Sequence, residues 1–136
     1  MTFEDVYKHD YFANDAGVIL ESLNDERAVM SLKIEKRHLN GGATAHGGAI
    51  FLLTDITMAA IANHLQIGSV SIQSDIRFFA AAFEGDTLTA EAVEVFGRKS
   101  LFNSRVTVTN QQGELIAVAE GMYYRKQSFK AAAEGK

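Results

Sequence analysis

The sequence predicts an α+β domain in which a strongly curved antiparallel sheet wraps one long helix. Three observations carry this. The run from about Gly47 to His64 is apolar nearly all round, so it needs sheet on most of its sides. A hairpin pattern precedes it. After it the chain breaks into alternating apolar and polar segments joined by short turns, which is the signature of antiparallel strands. One helix against many strands leaves a two-layer arrangement as the way to bury both apolar faces.

A short amphipathic stretch near Asp5–Phe12 predicts a first helix. Gly17–Leu23 and Arg27–Ile34 form a hairpin about Asn24-Asp25-Glu26, with Ala28, Met30, Leu32 and Ile34 alternating against Arg27, Ser31 and Lys33. Residues 37–45 form a loop with a Gly-Gly step, and the apolar helix follows. Ser69–Phe79 puts Val70, Ile72, Ile76 and Phe78 on one face. Asp86–Phe96 alternates through Leu88, Ala90 and Ala92, then changes phase to Val93 and Val95, which predicts a bulge. Lys99–Thr109 sets Phe102, Val106 and Val108 against Asn103, Arg105 and Thr107. Asn110-Gln111-Gln112-Gly113 turns the chain into Glu114–Tyr124. The four strands after the helix are expected to form a meander. Residues 1–125 make one domain, and the alanine-rich charged tail, residues 126–136, is expected to be loosely ordered.

Composition narrows the function. With 47% hydrophobic and 22% charged residues, the 136-residue chain is ordinary for a globular domain. A net charge of −4 without a basic stripe argues against nucleic acid. The lack of cysteine removes disulfides, thiolate metal sites and a cysteine nucleophile. His9, His38 and His64 show no ligand spacing, so no metal or other cofactor is expected. The N-terminal stretch is acidic and lacks an apolar signal core, and no apolar run is expected to span a bilayer; a cytoplasmic protein without membrane contact is the expectation. No Gly-x-Ser-x-Gly elbow, phosphate-binding glycine loop or His-Glu-x-x-His motif occurs.

One residue does not fit the apolar helix. Asp55 lies in its middle, with no basic side chain within a turn or two. A buried carboxylate is costly unless paired, protonated or used. The structural alternative to a catalytic acid is one held by hydroxyls of Thr54 or Thr57.

The junction Asn40-Gly41-Gly42-Ala43-Thr44-Ala45-His46-Gly47-Gly48, with Asp55 nine residues beyond His46, resembles the hotdog-fold acyl-CoA thioesterases, and within them most the phenylacetyl-CoA thioesterase subfamily. Gly97-Arg98-Lys99-Ser100 is similar to a Gly-Arg step of that family. Two departures concern backbone shape: Ala43 stands where the family often has glycine, and Phe79-Ala80-Ala81-Ala82 lacks a common proline. The resemblance implies a hotdog fold, acyl-CoA as substrate and self-association as a dimer or dimer of dimers. It also implies roles for Asp55, Gly47, His46 and Asn40 in catalysis, and for Gly48, Ser71, Arg98, Lys99 and Ser100 in binding. Several of these residues have a plainer alternative. His46 can fix the loop, Asn40 can shape a turn, Ser71 can be an ordinary strand position, and the 98–100 turn can be merely solvated.

The chemistry is consistent with that set. A thiol leaves readily, since free thiols ionise near ~8.5, so a carboxylate and an oxyanion donor form a minimal site. Asp55 supplies the first and the free N–H groups near Gly47 the second. Eight residues separate them, about 12 Å along a helix axis at ~1.5 Å per residue, so Asp55 is expected to serve the Gly47 of a neighbouring subunit. Phe51, Met58, Ala59 and Ala62 are expected to line the acyl pocket. A non-catalytic acyl-CoA-binding hotdog protein and a hotdog dehydratase or hydratase are the rival readings. The dehydratases usually carry a differently spaced, proline-containing motif, and this chain has no proline.

Overall fold

The computed structural model describes residues 1–65 and 67–125; the tail expected at 126–136 lies outside the described residues. A six-stranded antiparallel sheet curls around the helix α3 (Gly47–Leu65). This is the hotdog arrangement expected from the sequence. Leu53, Met58, Ile61 and Ala62 of α3 are fully buried against Met30, Leu32, Leu88, Phe102, Val106, Val108 and Ile116 of the sheet. Thr54 and Thr57 share that dry face because their hydroxyls donate back to the carbonyls of Phe51 (2.8 Å) and Leu53 (2.5 Å).

By length and composition, at 19 residues and a mean hydropathy of 1.4, α3 is apolar enough to cross a bilayer, contrary to expectation. Here it is the core helix of a curved sheet. The expected first helix is in fact two, α1 (Phe3–Tyr7) and α2 (Tyr11–Ala16). Asp10 causes the break: its carboxylate accepts the Ala13 N–H at 3.0 Å, a capping role that starts a new helix.

The hairpin is β1 (Ile19–Leu23) with β2 (Arg27–Lys33). The other strands are β3 (Ser69–Phe78), β4 (Thr87–Gly97), β5 (Leu101–Thr109) and β6 (Leu115–Arg125). The sheet order is β1-β2-β4-β5-β6-β3, so only β4-β5-β6 form a meander. The expected four-strand meander fails because α3 carries the chain across the sheet. β3 emerges at the far edge and pairs with β6, and residues 79–86 return to β2, where Ile34 and Asp86 bond (2.8 Å). The predicted phase change in β4 is a bulge between Glu94 and Phe96. In β3, by contrast, the expected apolar face is largely exposed. The bulge at Ile72 breaks the alternation: Val70, opposite the exposed Tyr124, and Ile72 lie open to solvent, whereas the half-exposed Phe78 turns to the helix side of this edge strand and lies against Gly47.

Candidate functional site

The start of α3 is built by a relay of hydrogen bonds. His38 is buried; its Nδ1 accepts the Glu35 N–H (2.8 Å), so its Nε2–H donates to the Ala16 carbonyl (2.7 Å). The His38 carbonyl then accepts the His46 N–H (2.7 Å). His46 caps the helix, its Nδ1 accepting the Gly48 N–H at 2.8 Å while its carbonyl accepts from Ala49 and Ile50. The Gly48 amide is therefore occupied. The Gly47 N–H has no acceptor among the described residues and points from the positive end of a 19-residue helix dipole.

Glycine at 47 answers to space. A Cβ there would lie 3.3 Å from Cζ of Phe78, whose ring covers the position. A cleft of about 450 Å³ opens beside Gly47, walled by Ile50, Phe78, Phe79 and the alanines 80–82. A second cleft of about 340 Å³ lies on the His46 and Gly48 side, against Phe12, Leu39 and Leu52. The acyl lining expected from the sequence is different. Met58 and Ala62 are sealed in the core, since they fall on the sheet-facing side of the helix.

Asn40 is a loop clasp. Its Oδ1 accepts the N–H groups of Gly42 (2.9 Å) and Thr44 (3.1 Å), and its Nδ2 donates to the Thr44 hydroxyl (3.0 Å). Inside that clasp Ala43 adopts a φ of 62°, left-handed backbone where glycine would be unstrained.

Asp55 is half-buried on the incompletely covered stripe of α3 that also holds Gly48, Phe51, Leu52 and Ala59. Burial pushes its carboxyl above the usual carboxylate range, and the negative charge of Asp10 adds to the shift. No hydrogen bond or ion pair reaches its carboxylate among the described residues. The hydroxyls of Thr54 and Thr57, the structural alternative, are committed to backbone carbonyls instead. Tyr123, which sequence reading did not single out, reaches the same point of the helix: its buried hydroxyl donates to the Asp55 backbone carbonyl at 3.3 Å. Its position in the alternation of β6 marks it as inward-facing, but no local pattern pairs it with Asp55. Ser71 is the ladder partner of Tyr123, on the same face of the sheet, and its hydroxyl lies 3.4 Å from that of Ser74.

Arg98, Lys99 and Ser100 form the β4–β5 turn, closed by the Arg98 N–H on the Leu101 carbonyl (2.7 Å). The structure does not bring this turn to Gly47 of the same chain. The row Gly97–Phe102–Tyr123–Ser71 places the turn at one end of the sheet, whereas Gly47 touches Phe78 at the other. Ser71 and Phe78 are on the order of 20 Å apart along their strand at ~3.3 Å per residue.

Residues 42–117 match the family profile of the thioesterase superfamily. The chain is 32% identical over 120 residues to a putative esterase of Archaeoglobus fulgidus, covering 88% of this chain and 78% of that one. It is 30% identical to the acyl-coenzyme A thioesterase PaaI of Escherichia coli, covering 88% and 86%. The solved structure of the E. coli PaaI protein from the phenylacetic acid degradation operon superposes with a TM-score of 0.89 at 29% identity, covering 92% and 91%. A hypothetical thioesterase protein from Streptococcus pneumoniae, solved with coenzyme A, superposes with a TM-score of 0.84 at 25% identity, covering 92% and 97%.

Proposed function

The chain belongs to the thioesterase superfamily, and from that premise we propose that it hydrolyses acyl-CoA thioesters at a site that pairs Asp55 of one subunit with Gly47 of another. The observation that carries this reading is a carboxylate without a partner among the described residues, on the open stripe of a helix whose first amide is likewise free among them. The Gly47 N–H holds the thioester oxygen as negative charge develops on it. Asp55 removes a proton from water as the water oxygen attacks the carbonyl carbon; the C–S bond breaks and the thiolate departs. In the nucleophilic variant Asp55 itself attacks, and water then hydrolyses the mixed anhydride. Label from ¹⁸O-water recovered in Asp55 after a single turnover marks that second route.

Two observations support a shared site. Asp55 lies about 12 Å down the axis from its own Gly47 at ~1.5 Å per residue, and the basic turn at 98–100 sits at the opposite end of the sheet. An antiparallel pairing of two copies sets one chain's helix start against the other's turn. The open apolar β3 edge and the half-covered Phe51 and Leu52 suit such a dimer. In this reading Arg98, Lys99 and Ser100 receive the CoA phosphates.

Thiol release across a panel of acyl-CoAs tests the assignment, with the wild type beside Asp55→Ala. Loss of a general base or nucleophile is expected to lower kcat by about 10²–10⁴-fold. An unaffected variant, or no hydrolysis of any thioester, sinks the reading. A fully active monomer by light scattering overturns the shared site alone. Tight CoA binding without turnover favours the binding-protein alternative.

A further inference from the structure

Arg125, at the end of β6, makes three contacts that converge on the basic turn. Its backbone N–H donates to the Ser100 carbonyl at 2.9 Å, and its Nη1 donates to the Arg98 carbonyl at 2.8 Å. Its guanidinium lies over the ring of Phe102, 4.7 Å from the centroid. The first residue of the turn and the last are thus tied to one side chain and its backbone, and the side chain is seated on a fully buried aromatic ring. The Arg125 Nε is itself buried and has no acceptor among the described residues. A buried guanidinium donor without an acceptor carries a desolvation cost, and its charge is held less than fully screened beside the turn. Arg98 stacks on Phe96 at 5.2 Å, so its side chain too is seated on an aromatic face. One carboxylate, Glu94, lies against Gly97 at the same corner; the three cations Arg98, Lys99 and Arg125 outweigh it.

We propose that Arg125 is a positioning residue for nucleotide recognition: it braces the Arg98–Ser100 turn in the shape that receives the phosphates of CoA and adds its own positive charge behind them. This rests on the reading of that turn as the phosphate subsite. A planar fork does the bracing, since only a guanidinium combines a carbonyl hydrogen bond with stacking on Phe102. Lysine keeps the charge but loses the brace. Part of the effect of Arg125 passes through the turn, so removing both Arg125 and Arg98 costs less than the two single losses together.

Calorimetric titration with free CoA tests this, using wild type, Arg98→Ala, Arg125→Ala, Arg125→Lys and the double alanine variant, with thermal melts as a folding control. Pantetheine, which lacks the nucleotide and its phosphates, is the comparison ligand. Arg98→Ala and Arg125→Ala are each expected to weaken CoA binding about tenfold, as for loss of a charge-assisted contact, with pantetheine unchanged. Arg125→Lys is expected to recover only part of the loss, and the double variant to fall short of the product of the singles. If Arg98→Ala weakens CoA and Arg125→Ala does not, the brace is overturned and the phosphate turn stands. Neither variant affecting CoA removes the phosphate turn and the brace with it. Equal weakening of pantetheine, full recovery with lysine or a multiplicative double variant each overturns positioning.

Discussion

The hydroxyl of Tyr123, on the last described strand, donates to the main-chain carbonyl of Asp55, in the middle of the core helix, at 3.3 Å. Burial and the nearby Asp55 charge push the phenol far above its ordinary range, so it stays protonated and remains a donor throughout the working pH range. The bond fixes the helix to the sheet at the level of the carboxylate. Tyr123→Phe keeps the ring and deletes the donor, and is expected to cost about 1 kcal/mol of unfolding free energy. Urea unfolding measures it; an unchanged midpoint would show that the contact does not hold the helix.

Asp55 gives the protein a pH signature. Its folded-state carboxyl is raised, first by burial and then by Asp10. Activity that needs the carboxylate therefore declines on the acid side at a pH above that of an ordinary aspartate. Asp10→Asn removes a like charge and is expected to move that limb to lower pH, read from kcat/KM against pH. A limb unmoved by Asp10→Asn means that the two carboxylates do not interact.

The same shift fixes the sign of a stability effect. A raised carboxyl favours the folded state while it is protonated, below its unfolded value, and that advantage is lost as pH rises through the folded value. Ionising Asp55 in the folded protein therefore opposes folding. Asp55→Asn is expected to melt at a higher temperature than wild type at pH 7, with the gap narrowing on acidification. A gap that widens toward low pH would contradict the direction of the shift.

Ala43 holds left-handed backbone, φ 62°, within the Asn40 clasp. For a residue with a Cβ this costs roughly 1–2 kcal/mol, which glycine avoids while giving back some unfolded-state entropy. Ala43→Gly is expected to stabilise the protein by about 1 kcal/mol. Chemical denaturation checks it, and a destabilised variant would mean that the loop does not hold this conformation in solution.

Gly121 is packed too closely for a side chain. A Cβ would sit 2.8 Å from the Met58 sulfur and 3.3 Å from the Gln73 carbonyl oxygen. Met58 can shift, but the Gln73 backbone cannot without disturbing the β3–β6 ladder. Gly121→Ala is expected to cost about 1–3 kcal/mol by overpacking. A wild-type melting temperature would show that β3 yields freely.

Much of this was legible in the residues. The run from Gly47 to His64 lacks a polar face, so a wrapped helix followed from hydrophobicity alone. Val93 and Val95 fell out of phase with Ala90 and Ala92, and a bulge stands there. Asp55 was conspicuous because nothing local pairs with it. What escaped was set by tertiary placement. Alternation in β3 puts Val70 and Ile72 on the face of Ile76 and Phe78, but the bulge at Ile72 breaks that face, and only the crossover of α3 decides that the strand is an edge. The capping value of Asp10 overrode a continuous amphipathic pattern. His38, Tyr123 and Arg125 act on residues 8, 68 and 25–27 positions away, through pairings that no short motif encodes.

The place of β6 in the sheet constrains the order of assembly. β3 is complete long before its partner in the chain, and that partner is the last described strand. During synthesis β3 therefore waits with both ladder edges open and its apolar residues uncovered, while the hairpin and β4–β5 are already able to pair. Only when β6 emerges does it slot between β5 and β3 and close the wall around the helix. This non-local closure makes folding slower than its modest size suggests and leaves the nascent chain exposed to edge-to-edge association until the end. It also means that trimming β6 would do more than fray a border, since the strand beyond it would lose its hold on the sheet.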